Sequence, residues 1–311
     1  MHEFHTDSIE SSSTFVTTPQ EKPQGWTDDG DRNTWQDVYT ARQRIFPNGQ
    51  SELTISKEKY FIGPAVLGKA RAKRGERMTD DEGNVEDDEQ FGSRRARNDD
   101  VASRRAKKNV RLCCKEISAD RLVTLTYREN MKDRDLALKH FDGFRRRLGR
   151  CKAFHYVAVM EEQERGAIHF HIAVNGRQDY NLVRSIWQSV VGLGQKGEQM
   201  AQANVRDPHK FGFGKNGAHK LASYIAKYCG KQMDVRELNQ KRYFRSKGIV
   251  LPVVNTWRIS ATTMLGAVQT AFSIVAEFGL EGVQTWCNNA LGVVWIATAP
   301  RSGPLINTCP F

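Results

Sequence analysis

Residues 153–176, AFHYVAVMEEQERGAIHFHIAVNG, contain two runs of alternating apolar residues separated by a short polar stretch. Such alternation marks strands with a buried face, and two runs joined by about four residues predict an antiparallel hairpin. In the second run His169 and His171 share one face and Phe170 takes the other, because strand side chains alternate. Two imidazoles at i and i+2 can grip one metal ion, although lone histidines are more often structural. In the first run Glu161 keeps the parity of Val157 and Val159, and Glu162 has the opposite parity. Parity alone does not say which face of the first strand meets the histidines, so Glu161 is preferred as a third ligand and Glu162 stays open. Two imidazoles and a carboxylate leave coordination positions for a phosphate oxygen on a divalent ion. His155, which also has the Glu161 parity, reads as a core residue.

Working outward, RLVTLTYR (121–128) alternates and predicts a strand. DRDLALKHFDGFRRRLG (133–149) reads as a helix with Asp133 as N-cap and an end at Gly149, and NLVRSIWQSVV (181–191) as a second helix. GAHKLASYIAKYCGKQM (217–233) reads as a third. The order β-α-β-β-α, then a tyrosine-bearing helix, predicts an α+β domain with an antiparallel sheet and helices on one face. Within the third helix, YIAKYCGK (224–231) repeats Tyr-x-x-Lys in tandem. At about 100° per residue, Tyr224, Lys227, Tyr228 and Lys231 share one stripe. Ala222, Ile225, Ala226 and Cys229 form the opposite, apolar face, suited to lying on a sheet. An ordinary amphipathic helix produces the same stripe.

The 311-residue chain carries 47 basic and 36 acidic side chains, a net charge of +11, which points to a polyanionic partner. Six cysteines without a C-x-x-C pair predict free thiols in a reducing compartment. The N-terminus is polar and no apolar run reaches about 18 residues, so a cytoplasmic protein with no membrane partner is expected. Residues 1–109 alternate acidic and basic blocks at low hydrophobicity and predict a flexible charged arm, with one short helix from Trp35. A folded domain is expected over 110–260 and an apolar, helical segment of unread role over 261–311. Arg145, Arg146 and Arg147 are candidates for following a DNA backbone. Lys215 and Lys220, in and beside a Gly-rich loop, are candidates for passing a single strand to the tyrosines. GPAVLGK (63–69) has phosphate-loop spacing, but Ala70 stands where Ser or Thr is needed and Pro64 removes an amide, so an ATPase site is set aside.

These motifs together resemble a known superfamily. His169-Phe170-His171, within E-x-Q-x-RGAIHFH, resembles the His-hydrophobe-His motif of the HUH endonucleases, and LVTLTYR their first motif. YIAKYCGK resembles the third motif of the two-tyrosine branch, typified by gene A replication proteins of small single-stranded DNA phages and by related plasmid initiators. The resemblance covers about 120–260, with the motifs in the order found in replication initiators. It implies a ferredoxin- or RRM-like antiparallel sheet and a Mg2+ or Mn2+ ion held by His169, His171 and Glu161. It also implies nucleophilic Tyr224 and Tyr228, assisted by Lys227 and Lys231, and a 5′-phosphotyrosine intermediate. The implied partner is single-stranded or supercoiled DNA at a replication origin, with host helicase and polymerase. A two-tyrosine transposase and a non-catalytic binder of single-stranded nucleic acid are the alternatives.

Overall fold

The structure is a computed structural model, and it describes residues 34–62, 76–79, 82–206, 217–228, 240–280 and 282–299. These residues form a mixed α/β molecule with two antiparallel five-stranded sheets and five helices.

The first sheet contains β3 (Arg121–Tyr127), β4 (Tyr156–Glu162), β5 (Ile168–Val174), β6 (Ala201–Arg206) and β7 (Phe244–Arg245), in the order β6-β3-β5-β4-β7. The β4–β5 hairpin forms where alternation predicts it. Its turn closes through Gly166 N–H donating to Gln163 O at 2.7 Å, with Gly166 at φ +81°, a conformation costly for a side chain. Helices α2 (Arg134–Cys151) and α3 (Tyr180–Val191) cover one face. Asp133 caps α2 by accepting from Leu136 N at 2.9 Å, as its position predicts, and α2 runs two residues past Gly149. Phe141, Phe144, Leu148 and Trp187 from these helices pack on Val123, Leu125, Ala158, Phe170 and Ile172.

The expectation of helices on one face holds only for that pair. On the other face lie α1 (Asp88–Glu116) and α4 (Gly217–Tyr228). Ala106, Val110, Cys113 and Cys114 of α1 and Leu221, Ala222, Ile225 and Ala226 of α4 pack on Val157, Val159 and Ala173. Both faces of β4 and β5 are therefore buried, and charge alternation concealed the helix that does it. The acidic block before α1 is its N-terminus: Asp87 accepts from Gln90 N at 2.8 Å, and Glu86 pairs with Arg94 at 2.6 Å. Acids at a helix start complement its dipole, so blocks that read as linker form one helix about 43 Å long.

The second sheet corrects the expected arm and C-terminal segment. It contains β1 (Thr34–Ile45), β2 (Ser51–Ile62), β8 (Asn255–Ile259), β9 (Gln284–Asn288) and β10 (Val293–Ala297), in the order β8-β1-β2-β10-β9. The stretch from Trp35 is thus a strand. Its hairpin turns at Asn48-Gly49, with Gly49 at φ +76°. Helix α5 (Met264–Ala276) forms as expected within 261–311, but β9 and β10 follow it and pair back onto β2. Tyr39, Ala41, Leu53, Ile55, Val294 and Ile296 pack beneath Ala267, Ala271 and Val275 of α5. The arm therefore does not hold for 34–62 or 88–109, and the expected boundary at 109/110 falls inside α1. A strand pair near the start of the chain that buries its apolar face only against elements near the other end is illegible in local periodicity. The phosphate-loop-like 63–69 lies outside the described residues.

Helix α1 ties the two sheets together. Glu52 of β2 is buried and meets Arg111 at 2.6 Å and Lys115 at 2.8 Å. Burial pushes its carboxyl up, but the Lys115 and Arg111 charges outweigh that and hold its pKa at about 2. Cys113 and Cys114 are buried free thiols, and Cys151 and Cys287 are exposed free thiols. No helix among the described residues is long and apolar enough to cross a membrane.

Candidate active site

The β4–β5 register places Glu161 directly opposite His169, and Val159 opposite His171. Val157, Val159 and Ala173 share the face covered by α1 and α4, while Ala158, Met160 and Phe170 face α2 and α3. Glu161 is buried beside the histidines, and Glu162 has the opposite parity and is exposed at the strand end. His171 Nε2 lies 2.7 Å from Glu161 Oε2. His169 Nδ1 lies 3.2 Å from the Gln163 side-chain amide. Burial pushes His169 below the ordinary imidazole range, and the neighbouring His171 adds to the shift, so the neutral, ligating form prevails near pH 7.

Above this strand sits the tyrosine helix. The Tyr228 ring stacks on His171, with centroids 4.2 Å apart and 14° between planes. Tyr224 meets His171 edge-on at 6.1 Å and Tyr228 edge-on at 5.1 Å. The Tyr228 hydroxyl donates to the Tyr224 oxygen at 2.7 Å. The two phenols are unequal: Tyr228 is buried and Tyr224 only half-buried. Burial pushes the Tyr228 phenol well above its ordinary range, and its hydrogen bond to Tyr224 adds to this, as does the Glu161 charge. In that bond Tyr228 is the donor and Tyr224 the acceptor.

The apolar face expected on α4 is confirmed at Ala222, Ile225 and Ala226. The second tyrosine, however, is part of the buried layer and not of a solvated stripe, because β5 presents His171 beneath it. Lys227 is exposed on the same helix, and Lys220 is exposed in its first turn. Lys231, Lys215 and Cys229 lie outside the described residues. Arg145, Arg146 and Arg147 are on α2, across the sheet from the tyrosines. Arg145 and Arg146 both pair with Asp142, and Arg147 bonds Ser189, so the fold does not bring them to this site. His155 is exposed just before β4 and is not a core residue.

Among the described residues, no three His, Cys, Asp or Glu side chains converge closely enough to hold a metal ion. Instead His171 and Glu161 close on each other and His169 turns to Gln163. The donor set still fits a divalent ion. Two imidazoles and a carboxylate share one face, and the His171–Glu161 hydrogen bond uses the same two atoms that would ligate it.

The sequence reading missed several neighbours. Thr124 of β3 lies opposite His171, and Asn204 of β6 lies opposite Thr124, so a polar row leads from the histidines to the sheet edge. An open cleft along that edge is lined by Arg128, Tyr180, Arg184, Gln188, Gln199 and Gln202. The threonines of RLVTLTYR, which share the histidine face, were the available signal.

No curated protein and no solved structure matches the chain. Residues 120–233, just over a third of the chain, match the family model for the replication-associated protein ORF2/gene II protein. That span contains the β4–β5 hairpin, both histidines, Glu161 and both tyrosines, and over it the chain is similar to replication-associated proteins of that family.

Proposed function

We propose that this protein is a replication initiator that nicks and rejoins single-stranded DNA at an origin through a 5′-phosphotyrosine intermediate. The observation that carries this reading is the pair of hydrogen-bonded phenols packed on His171, beside Glu161. Neither a plain amphipathic helix nor a stacking platform accounts for two tyrosines packed against a histidine–carboxylate pair. The similarity of 120–233 to replication-associated proteins supports the same reading, as does the β-α-β-β-α-β order of β3 to β6.

Tyr224 is the first nucleophile in this scheme. It is the more accessible phenol, and the hydroxyl of Tyr228 donates to its oxygen. As Tyr224 loses its proton to solvent, that hydrogen bond stabilises the phenolate. The oxygen attacks phosphorus in line, the P–O3′ bond breaks, and a free 3′-hydroxyl leaves. Phenolate is a better leaving group than an alkoxide, so the link remains reversible. Lys227 adds positive charge near the phosphorane. A divalent ion, Mg2+ or Mn2+, held by His169, His171 and Glu161 supplies charge to polarise the scissile phosphate. After a round of synthesis Tyr228 takes the new 5′ end. The freed 3′-hydroxyl then attacks the Tyr224 phosphotyrosine and closes the circle.

Supercoiled DNA carrying the cognate origin, incubated with the protein and resolved on a denaturing gel, tests the reading. Nicking with a protein-linked 5′ end, lost on chelation and restored by Mg2+ or Mn2+, is expected. Full nicking in chelator would remove the metal from the scheme, and nicks with no protein attached would remove the tyrosines.

A further inference from the structure

The second sheet has two unlike faces. One is apolar and lies under α5. The other follows the opposite parity, and cross-strand register puts Arg44 opposite Glu52, Arg42 opposite Thr54, and Thr40 opposite Arg258. Continuing across, Thr54 lies opposite Trp295, and Trp295 opposite Trp286. Helix α1 approaches this face with Lys108, Arg111 and Lys115, which share one helical stripe. Six cations, Arg42, Arg44, Arg258, Lys108, Arg111 and Lys115, thus meet two carboxylates, Glu52 and Glu58.

The carboxylates are already engaged. Both oxygens of Glu52 are taken by Arg111 and Lys115, and Glu58 accepts from Arg42 at 2.9 Å. Arg44 Nε is buried and has no hydrogen-bond partner among the described residues. Burial lowers the Lys108 ammonium below the ordinary lysine range, and Arg44, Arg111 and Arg42 lower it further. A buried guanidinium nitrogen without an acceptor, within a concentrated positive field, is a site built for an anion. Beside it the indole of Trp286 is 51% exposed, and Trp295 lies under Arg111 at 5.5 Å. Cations that hold phosphates next to an exposed flat aromatic suit a strand whose bases are unstacked, whereas a duplex hides its base faces.

We propose that this charged face of the second sheet, with the Lys108–Lys115 stripe of α1, binds single-stranded nucleic acid, with phosphates at Arg44 and Lys108 and a base on Trp286. It is separate from the tyrosine centre, on the far side of α1. Since it takes the same class of ligand, the proposal rests on the reading of this chain as a DNA-processing protein. Its role is to hold a length of strand that the tyrosines do not cut.

The test uses full-length protein with Tyr224→Phe and Tyr228→Phe, so that binding is scored without cleavage. Anisotropy of a labelled mixed-sequence oligonucleotide, single-stranded or annealed to its complement, is measured against salt concentration. Arg44→Ala with Lys108→Ala should weaken single-strand binding about tenfold and reduce the salt slope by about 1.4, the share of two phosphate contacts. Trp286→Ala should weaken it several-fold with the slope unchanged. Because Arg44 is partly buried, Lys108→Ala alone and Trp286→Ala, both at exposed positions, are read beside it with melting temperatures. Photocrosslinking of a bromouracil-substituted strand should label the Trp286 peptide. Unchanged single-strand affinity in the exposed-site variants, loss confined to the duplex, or crosslinks confined to 120–233 would each overturn the proposal. Adduct formation by the unmutated protein is scored in parallel, so failure of the tyrosine chemistry remains distinguishable from failure of this surface.

Discussion

Each of the two sheets has one apolar face and one bearing charged or polar side chains, and they use the second kind differently. In the first sheet the histidine face is covered by α1 and α4, and two tyrosines, two histidines and a carboxylate are pressed together. In the second sheet the arginine face is covered only where α1 crosses it, and an indole is left open. Covering a polar face fixes geometry and strengthens electrostatics, as bond chemistry requires. Leaving it open keeps charge and area available, as holding a polyanion requires. The same helix serves both sheets, through Cys113 and Cys114 on one side and Arg111 and Lys115 on the other.

The largest effect should come from the covered face. Tyr224→Phe combined with Tyr228→Phe is expected to abolish the covalent protein–DNA adduct, measured by denaturing electrophoresis, with binding to a single strand retained. Tyr228→Phe alone should still form the adduct through Tyr224, more slowly, because it removes the 2.7 Å hydrogen bond to the nucleophile. Peptide mass mapping would show which residue carries DNA. A faster first cut by Tyr228 than by Tyr224 would reverse the assigned order.

Glu161→Ala should lower the cleavage rate by at least about 100-fold, and Glu162→Ala should leave it nearly unchanged. The first side chain is buried at 2.7 Å from His171 and the second is exposed at the strand end. Single-turnover cleavage across a Mn2+ titration checks this ranking, and the reverse order would mean that the strand faces chemistry with its other side.

Between the two faces, Glu52→Gln should destabilise the fold by about 3 kcal/mol, since it leaves Arg111 and Lys115 against a neutral amide in a buried position. The native protein should also show an acid signature. The Glu52 carboxyl is depressed from 4.5 to about 2 in the folded state, so its stabilisation is complete above pH 4.5 and is lost as pH falls towards 2. Denaturant melts over that window should slope with pH in the native protein and less in the variant. The smallest effect belongs to the open face: Trp286→Ala should change stability by no more than about 0.5 kcal/mol, because its indole is half exposed.

The difference between the sheets also explains what was legible. Around Tyr156–Val174 each strand has a strict apolar parity and a short turn, so the hairpin, the shared face of His169 and His171, and the preference for Glu161 could be read locally. Asp133, in N-cap position before an amphipathic run, gave the start of α2 correctly. The second sheet carried signals too. Asn48-Gly49 sits between alternating runs, and Leu53 and Ile55 alternate with Thr54 and Ser56. They were masked by Arg42, Arg44, Glu52 and Glu58, which make a half-open strand look like solvated coil. Helix α1 was masked in the same way, because much of its buried stripe is made of Ser103, Ala106, Val110 and two cysteines, not of large aliphatics.

Local alternation and helical spacing by themselves determined which residues share a face: the two histidines with Glu161 or Glu162 as the open choice, and the two tyrosines one turn apart. These follow from the fixed periods of strand and helix, which need no knowledge of neighbours. Only the tertiary structure decided that Glu161 meets His169, that Tyr228 is buried on His171 while Tyr224 stays accessible, and that Arg145 to Arg147 lie across the sheet from both. It alone joined β2, near the start of the chain, to β10, near its end, and passed α1 between the sheets. Such pairings depend on burial of one segment's face by another far away in sequence, and no local period encodes that partner.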